Sequence, residues 1–207
     1  MARKSYKPEK IIDKVDAQYE STEPLRNRMD KDYSIYRLDP YDAGDGYQSY
    51  TSNEPSTYAD KIISFVVQSE MVARIPNTAE KEEQRKANNM KERFFLGALR
   101  SADERLKKAS MPSIKNQLAW YICMRGWYAG RALLMKDGDE STYVDITPWD
   151  PMHTYWSLGS DGLEWACYKV KKSKDLVESQ YNIKLPKSED YDDEDWIDVY
   201  DYYDKEI

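Results

Sequence analysis

Residues 118–135 read Leu118-Ala-Trp-Tyr-Ile-Cys-Met-Arg-Gly-Trp-Tyr-Ala-Gly-Arg-Ala-Leu-Leu-Met135, and within this stretch the chain changes from one periodicity to another. Up to about Gly126, apolar residues recur three and four positions apart, as on one face of a helix. From Trp127 onward, short apolar runs alternate with polar residues between Gly- and Asp-containing turns, as in hairpins. Helices followed by an antiparallel sheet predict an α+β fold, with a helical region over residues 1–126 and a β-rich region over 127–207.

Four helical stretches are expected before the border: residues 9–37 with a break near Ser21–Pro24, 56–75, 79–109 and about 110–126, the last with Ser110 as its N-cap. The stretch 56–75 is the most apolar and is expected to be packed on several sides. Replacing Ile62 or Phe65 by Ala should then cost roughly 2–5 kcal/mol.

The stretch 79–109 is expected to form an amphipathic helix with one apolar stripe, and the next helix is expected to place a further set of residues on one face. For the stretch 79–109 the stripe consists of Met90, Phe94, Phe95, Ala98, Leu99, Ala102, Leu106 and Ala109. For the following helix the shared face consists of Ile114, Leu118, Tyr121, Ile122 and Arg125.

Two hairpins are expected beyond Trp127, with turns at residues 136–140 and 159–162. A short helix over 173–181 and a final strand over 196–203 complete the β-rich region.

Composition indicates a folded protein with a charged surface and an excess of amphipathic aromatic residues. Tyr occurs 18 times and Trp 6 times, against 3 Phe, and the formal net charge is -7. Tyr and Trp have an apolar body and a polar tip, and they are enriched at subunit interfaces. Trp149 and Trp156 are therefore candidate interface residues. The charge is uneven, since residues 74–115 hold 11 basic and 6 acidic residues whereas residues 186–207 hold 2 and 10.

A search for catalytic, cofactor-binding or metal-binding residues gives none. His153 is the single histidine and has no nucleophile motif beside it, so a packed or half-exposed surface histidine is favoured. Cys123 and Cys167 lie 44 residues apart (167 − 123), too far for a zinc motif, and are interpreted as buried small side chains. No glycine-rich phosphate loop occurs.

An acidic run is the remaining candidate for a metal site. It contains Asp190, Asp192, Asp193, Glu194 and Asp195. This run lacks the spacing of a calcium loop and favours a solvated loop. No apolar run approaches the ~20 residues of a membrane span, so no membrane association is expected.

An ordered series of motifs resembles the N-terminal, wing-forming part of tailed-bacteriophage portal proteins. The first motif comprises Thr51, Ser52, Asn53, Glu54 and Pro55, followed by Ala59, Asp60 and Lys61 on a helix. The series continues with Arg125-Gly-Trp-Tyr-Ala-Gly-Arg131, Asp145-Ile-Thr-Pro-Trp-Asp-Pro151 and Leu158-Gly-Ser-Asp-Gly-Leu-Glu-Trp165. It ends with Asp198-Val-Tyr-Asp-Tyr-Tyr-Asp204.

This resemblance implies a structural subunit and not an enzyme, without cofactors. Portal subunits form a homo-oligomeric ring, commonly of twelve, at one vertex of the capsid. The ring contacts capsid protein, and double-stranded DNA passes through it without sequence-specific binding. Terminase and the tail adaptor dock on it. The implied location is the virion, after synthesis in the host bacterial cytoplasm.

Portal chains are usually about twice this length, and their channel-lining stem and their clip follow the wing strands. The chain is therefore expected to be part of a longer one or a short form. Two other readings stay open: another virion structural protein, such as a minor capsid or adaptor subunit, or a metal-dependent nucleic-acid enzyme domain that uses its carboxylates.

Overall fold

The structure, a computed structural model, describes residues 7–41, 43–76, 82–137, 141–185 and 196–205. Within these residues it contains six α-helices, one short 3₁₀ helix and two antiparallel sheets, with five α-helices preceding the strands. The expected α+β fold is confirmed. The contacts divide the chain into two units: residues 27–150 form the central unit, and residues 1–26 together with 151–207 form the split unit.

Two kinds of border therefore occur along the chain. The secondary structure changes at Gly126, which ends the fifth helix in a left-handed conformation with φ 78° and donates its N–H to the carbonyl of Ile122. Glycine suits this position because it has no Cβ to strain at positive φ. The expected regions 1–126 and 127–207 meet at this border, whereas the contacts divide after Arg26 and after Asp150.

The first two helices, α1 (Pro8–Ser21) and α2 (Glu23–Tyr36), are separated at Thr22. Thr22 is the C-cap of α1, and its hydroxyl and N–H both donate to the Gln18 carbonyl, the hydroxyl over 2.7 Å. Pro24 lies in the first turn of α2, where its missing N–H removes no helix hydrogen bond. The predicted break near Ser21–Pro24 is confirmed.

Helix α3 (Glu54–Gln68) ends earlier than expected. The backbone becomes extended at Ser69, whose hydroxyl donates to the Val66 carbonyl over 2.6 Å and whose carbonyl accepts a hydrogen bond from the Lys115 ammonium. Residues 70–76 are not helical. The predicted helix end at residue 75 is wrong, because helical spacing of apolar residues continues in the sequence after the helix has stopped.

Helices α4 (Glu82–Lys108) and α5 (Ile114–Arg125) are joined by a short turn. Ser110 has φ 58° and donates its N–H back to the Lys107 carbonyl, so it ends α4 instead of starting α5. The N-cap of α5 is Ser113, whose hydroxyl accepts a hydrogen bond from the Asn116 N–H over 3.2 Å. The predicted N-cap at Ser110 is therefore wrong.

The strands of the central unit are β1 (Ala129–Asp137) and β2 (Ser141–Trp149). They pair antiparallel from Ala129↔Trp149 to Asp137↔Ser141. The tip of the predicted turn, residues 138–140, lies outside the described residues. Contacts of β2 with α4 and α5, and of α3 with α5, connect the unit around α5.

The split unit contains a three-stranded antiparallel sheet in the order β3 (Thr154–Gly159), β4 (Gly162–Ser173), β5 (Trp196–Asp204). The short 3₁₀ helix Pro151–His153 leads into β3, and α6 (Lys174–Tyr181) follows β4. The predicted second hairpin, short helix and final strand are confirmed. Val15 of α1 contacts the sheet, and the buried core is formed by Val15, Tyr155, Trp165 and Cys167.

Candidate interaction surface

The Thr51–Pro55 motif forms the start of α3. The Ser52 hydroxyl accepts a hydrogen bond from the Glu54 N–H over 3.3 Å, and Asn53 occupies the N-cap position without a side-chain cap bond. Pro55 lies in the first turn, where helices accept proline. In this structure the motif therefore has a local role, which is to begin a helix.

Two residues of the following Ala59-Asp-Lys61 motif attach α3 to neighbouring helices of the central unit. The Tyr36 hydroxyl donates to Asp60 Oδ1 over 2.9 Å, and this hydrogen bond, with burial second, raises the pKa of Tyr36. The Ala59 carbonyl lies 4.0 Å from Cys123 Sγ of α5, within the range of a weak S–H donor. Lys61 is exposed.

Arg125 is a buried cation that joins several elements of the central unit. It is 9% exposed, donates from a guanidinium nitrogen to the Met29 carbonyl over 3.1 Å, and lies 3.6 Å from the Asp150 carboxylate. Its guanidinium also lies over the rings of Tyr33 and Trp120, at 5.2 and 5.6 Å from their centroids. Planar guanidinium groups suit such combined ionic and aromatic contacts.

Periodicity placed Arg125 on a face with Ile114, Leu118, Tyr121 and Ile122, but it did not predict a buried charge. Of that face the structure buries Ile114 and Arg125, leaves Leu118 and Tyr121 half-buried, and exposes Ile122. The buried face of α5 also includes Ala119 and Met124. The sequence feature that could have indicated this burial is the position of Arg125 directly before the helix-ending Gly126, among aromatic residues.

A groove lies beside this cation, in the central unit. Its volume is about 520 Å³. It is lined by Ile63, Pro112, Asn116, Gln117, Trp120, Tyr121 and Asp150. The Gln117 amide donates to the Pro112 carbonyl over 2.8 Å, and the Trp120 ring meets the Tyr33 and Tyr121 rings edge-on. The groove is therefore mainly apolar and aromatic.

Helix α3 has two apolar stripes, and only one of them is covered. Ala59, Ile63 and Val67 are half-buried on the side that meets α5, and none of the fifteen residues of α3 is fully buried. The second stripe, which we call the α3 seam, consists of Tyr58, Ile62 and Phe65. Their exposed fractions are 69%, 36% and 70%.

The seam is centred roughly 120° around the helix from the covered stripe, at 100° per residue. The prediction that α3 is packed on several sides is wrong. A high density of apolar residues indicates that several faces are apolar, but it does not show that the same chain covers them all.

Helix α4 shows a similar mismatch over its N-terminal half. Of the predicted stripe only Ala102 is fully buried, while Ala98, Leu99 and Leu106 are half-buried. Met90, Phe94 and Phe95 are mainly exposed, so the apolar stripe predicted for this helix is not covered over its N-terminal half.

Two anchors fix the C-terminal half of α4 in the central unit. Asp103 Oδ1 accepts a hydrogen bond from the Ile114 N–H over 2.7 Å. The Arg105 guanidinium donates to the Val144 carbonyl and lies 4.3 Å from the centroid of the Tyr143 ring.

Gly97 lies in the middle of α4 next to the exposed aromatic residues. A Cβ added there would meet no atom within 4 Å. A glycine in a helix interior is ~1 kcal/mol less favourable than alanine. Packing among the described residues therefore gives no reason for glycine at this position.

The remaining candidate residues lie apart from these helix faces. Trp149 is 4% exposed and Trp156 is half-buried. The interface role of both residues stays a prediction, and the burial of Trp149 does not favour it. His153 is exposed in the 3₁₀ helix, Cys167 is fully buried and Cys123 is half-buried. The acidic run 190–195 lies outside the described residues.

Within the described ranges, no group of three or more His, Cys, Asp or Glu side chains is placed to hold a metal ion. In the same part of the chain, no helix combines the length and apolar character needed to cross a membrane. Comparison of the sequence with models of known protein families gives no match, and comparison with curated proteins gives no significant similarity.

Proposed function

We propose that the chain is a structural subunit of a tailed-bacteriophage portal, the ring at the capsid vertex through which DNA is packaged and ejected. The ordered motifs that resemble the portal wing support this reading. The observation that carries it is the pair of exposed apolar helix faces on α3 and on the N-terminal half of α4.

The size of these faces favours an assembling protein. Tyr58, Phe65, Phe94 and Phe95 each keep half or more of their area exposed, from 51% to 70%. With 150–250 Å² for each aromatic side chain, they expose roughly 500 Å² together. This area is divided between two helix faces, so each face supplies roughly 250 Å² of the about 800 Å² that a stable interface covers on each partner.

As a portal subunit, the chain acts by geometry and not by catalysis. Copies of it form a homo-oligomeric ring, with twelve as the expected number, and the ring contacts the capsid protein. Double-stranded DNA passes through the channel, and terminase and the tail adaptor dock on parts that the resemblance places beyond the wing. The proposed location is the virion.

The test is negative-stain microscopy together with mass photometry on the purified full reading frame that contains this chain. We expect rings with a central channel. Open or irregular oligomers would favour another virion structural protein, since exposed apolar faces require a partner but not ring closure. A monomer at every salt concentration would overturn the proposal, and Mg²⁺-dependent cleavage of plasmid DNA would favour the enzyme alternative.

A further inference from the structure

The exposed residues of α4 follow the spacing of a helix–helix seam. Ala87, Met90, Phe94, Gly97 and Ser101 are separated by three, four, three and four positions, and all five are exposed. This alternation places side chains in one stripe that fits the side of another helix. We call this stripe the α4 seam.

The α3 seam has the same kind of spacing but a different shape. Tyr58, Ile62 and Phe65 are separated by four and three positions, and all are large. The α4 seam instead combines large Met90 and Phe94 with small Ala87, Gly97 and Ser101. Large side chains on one helix fit the spaces above small side chains on the other.

Charge disfavours pairing of two α4 seams. Lys91, Arg93 and Arg100 flank the middle and C-terminal part of the α4 seam, whereas Lys86 is paired with Glu82 over 3.1 Å and Glu83 and Glu104 lie at its two ends. Two copies of the seam would therefore bring an excess of positive charge together around Phe94. The α3 seam is flanked by one acidic and one basic residue, Glu54 and Lys61, and brings no such excess of positive charge.

The length of helix α3 is close to the length of the α4 seam. Helix α3 has 15 residues and is therefore about 22 Å long at 1.5 Å per residue. The α4 seam runs from residue 87 to residue 101 and spans about 21 Å by the same rise. The α3 seam itself runs from residue 58 to residue 65 and spans about 10 Å, so its large side chains cover about half of the α4 seam.

From these observations we infer that the α3 seam of one copy docks on the α4 seam of a second copy, with large α3 side chains above Gly97. A ring of identical subunits needs such a contact between two different faces of the chain, repeated around an axis. The inference rests on the proposed portal function and names the contact that closes the ring.

Gly97→Leu tests the contact without removing any interaction seen within the chain. Open space surrounds Gly97, and leucine is the better helix former, so we expect far-UV circular dichroism and thermal unfolding to show an intact fold. The added side chain fills the space meant for the partner, so we expect association, measured by mass photometry, to weaken at least tenfold. Asn89→Leu is the matched control, because it adds a leucine at an exposed α4 position outside the seam, and it should assemble like the wild type. Unchanged assembly of Gly97→Leu would overturn the inference.

Disulfide trapping separates failure of this contact from failure of the portal proposal. In a Cys123→Ala background, the Gly97→Cys protein is mixed with Tyr58→Cys, Ile62→Cys or Phe65→Cys protein under mild oxidation. We expect a mixed dimer with at least one α3 variant and none from Gly97→Cys alone. Rings in the wild type without any mixed dimer, or a Gly97→Cys homodimer, would reject the α3–α4 contact and leave the portal proposal standing. Absence of any oligomer in the wild type would reject both.

Discussion

Helix α1 of the split unit and helix α3 of the central unit have similar apolar patterns but different surroundings. Val15 of α1 is fully buried against Tyr155, Trp165 and Cys167 of the sheet. Phe65 of α3 is 70% exposed. The covered stripe of the same helix, which contains Ile63, is only half-buried. Periodicity therefore identifies which faces are apolar, whereas burial depends on distant residues that the local pattern does not contain.

Among the variants that test this comparison, Trp165→Ala is expected to lose the most folding stability. Trp165 is 9% exposed and its ring stacks on Tyr202 with 5.8 Å between centroids. Removing a buried aromatic side chain should lower the free energy of unfolding by roughly 3–5 kcal/mol. The measurement is urea unfolding followed by far-UV circular dichroism.

Trp196→Ala is the matched control in the same unit, since Trp196 is mainly exposed at the start of β5. We expect it to cost less than about 1 kcal/mol. Equal losses in the two variants would contradict the assignment of the core to the α1 side of the sheet.

A smaller effect is expected from the buried thiol at alkaline pH. Burial raises the pKa of Cys167 from 9.0 to about 12. The pKa of this thiol is higher in the folded than in the unfolded chain, so the stability that its protonated form contributes is fully present below pH 9. This contribution is lost as the pH rises from about 9 to 12, by at most ~1.4 kcal/mol per pH unit. Between pH 8.5 and 10.5 the wild type should lose about 2 kcal/mol more than Cys167→Ala in urea unfolding.

Cys123→Ala compares the pH dependence that a thiol of the central unit causes with that of Cys167 in the split unit. Burial also raises the pKa of Cys123, but this thiol is only half-buried in the central unit. The difference in pH dependence between the wild type and this variant should therefore be smaller. Tyr202, whose pKa is raised to about 12 mainly by burial, is present in every variant, so its main contribution cancels in the differences and only its smaller charge interaction with Cys167 does not. Identical pH dependence in the wild type and Cys167→Ala would contradict the burial of the thiol.

The smallest effect is expected for Phe65→Ala, in place of the 2–5 kcal/mol that the sequence predicted. Little buried area is lost, and alanine is a better helix former than phenylalanine, so the unfolding free energy should change by less than about 0.5 kcal/mol. Ile63→Ala, on the covered stripe of the same helix, should cost more. Urea unfolding at protein concentrations where the chain is monomeric checks both. A larger loss for Phe65→Ala than for Ile63→Ala would mean that the covered and exposed stripes are assigned the wrong way round.

Features encoded by neighbouring residues could be predicted from the sequence. The break between α1 and α2 depends on Thr22 and Pro24, the end of α5 on Gly126, and the hairpin between β3 and β4 on Gly162, which has φ 96°. Each depends on backbone conformation within a few residues, which is the range that side-chain type controls. The fold class followed from the order of such elements.

Features that depend on distant residues could not be predicted. The end of α3 at Gln68 coincides with a hydrogen bond from Lys115 to Ser69, 46 positions apart. The Arg125 cluster needs Met29, Tyr33 and Asp150 to meet around one cation. The exposure of both seams was missed for the same reason, since a stripe looks identical in the sequence whether the chain covers it itself or leaves it exposed.

The discontinuity of the split unit has a consequence for the order of events during synthesis. Val15 can meet Trp165 only after this residue has been translated, 150 residues later (165 − 15). At about 5–20 residues per second, Trp165 follows Val15 after roughly 8–30 s, and β5, the third strand of the sheet, follows later. The central unit is complete by residue 150, so it can fold while α1 is still unpaired. During that interval Ile11 and Val15 of α1 lack the sheet that covers them in the folded chain.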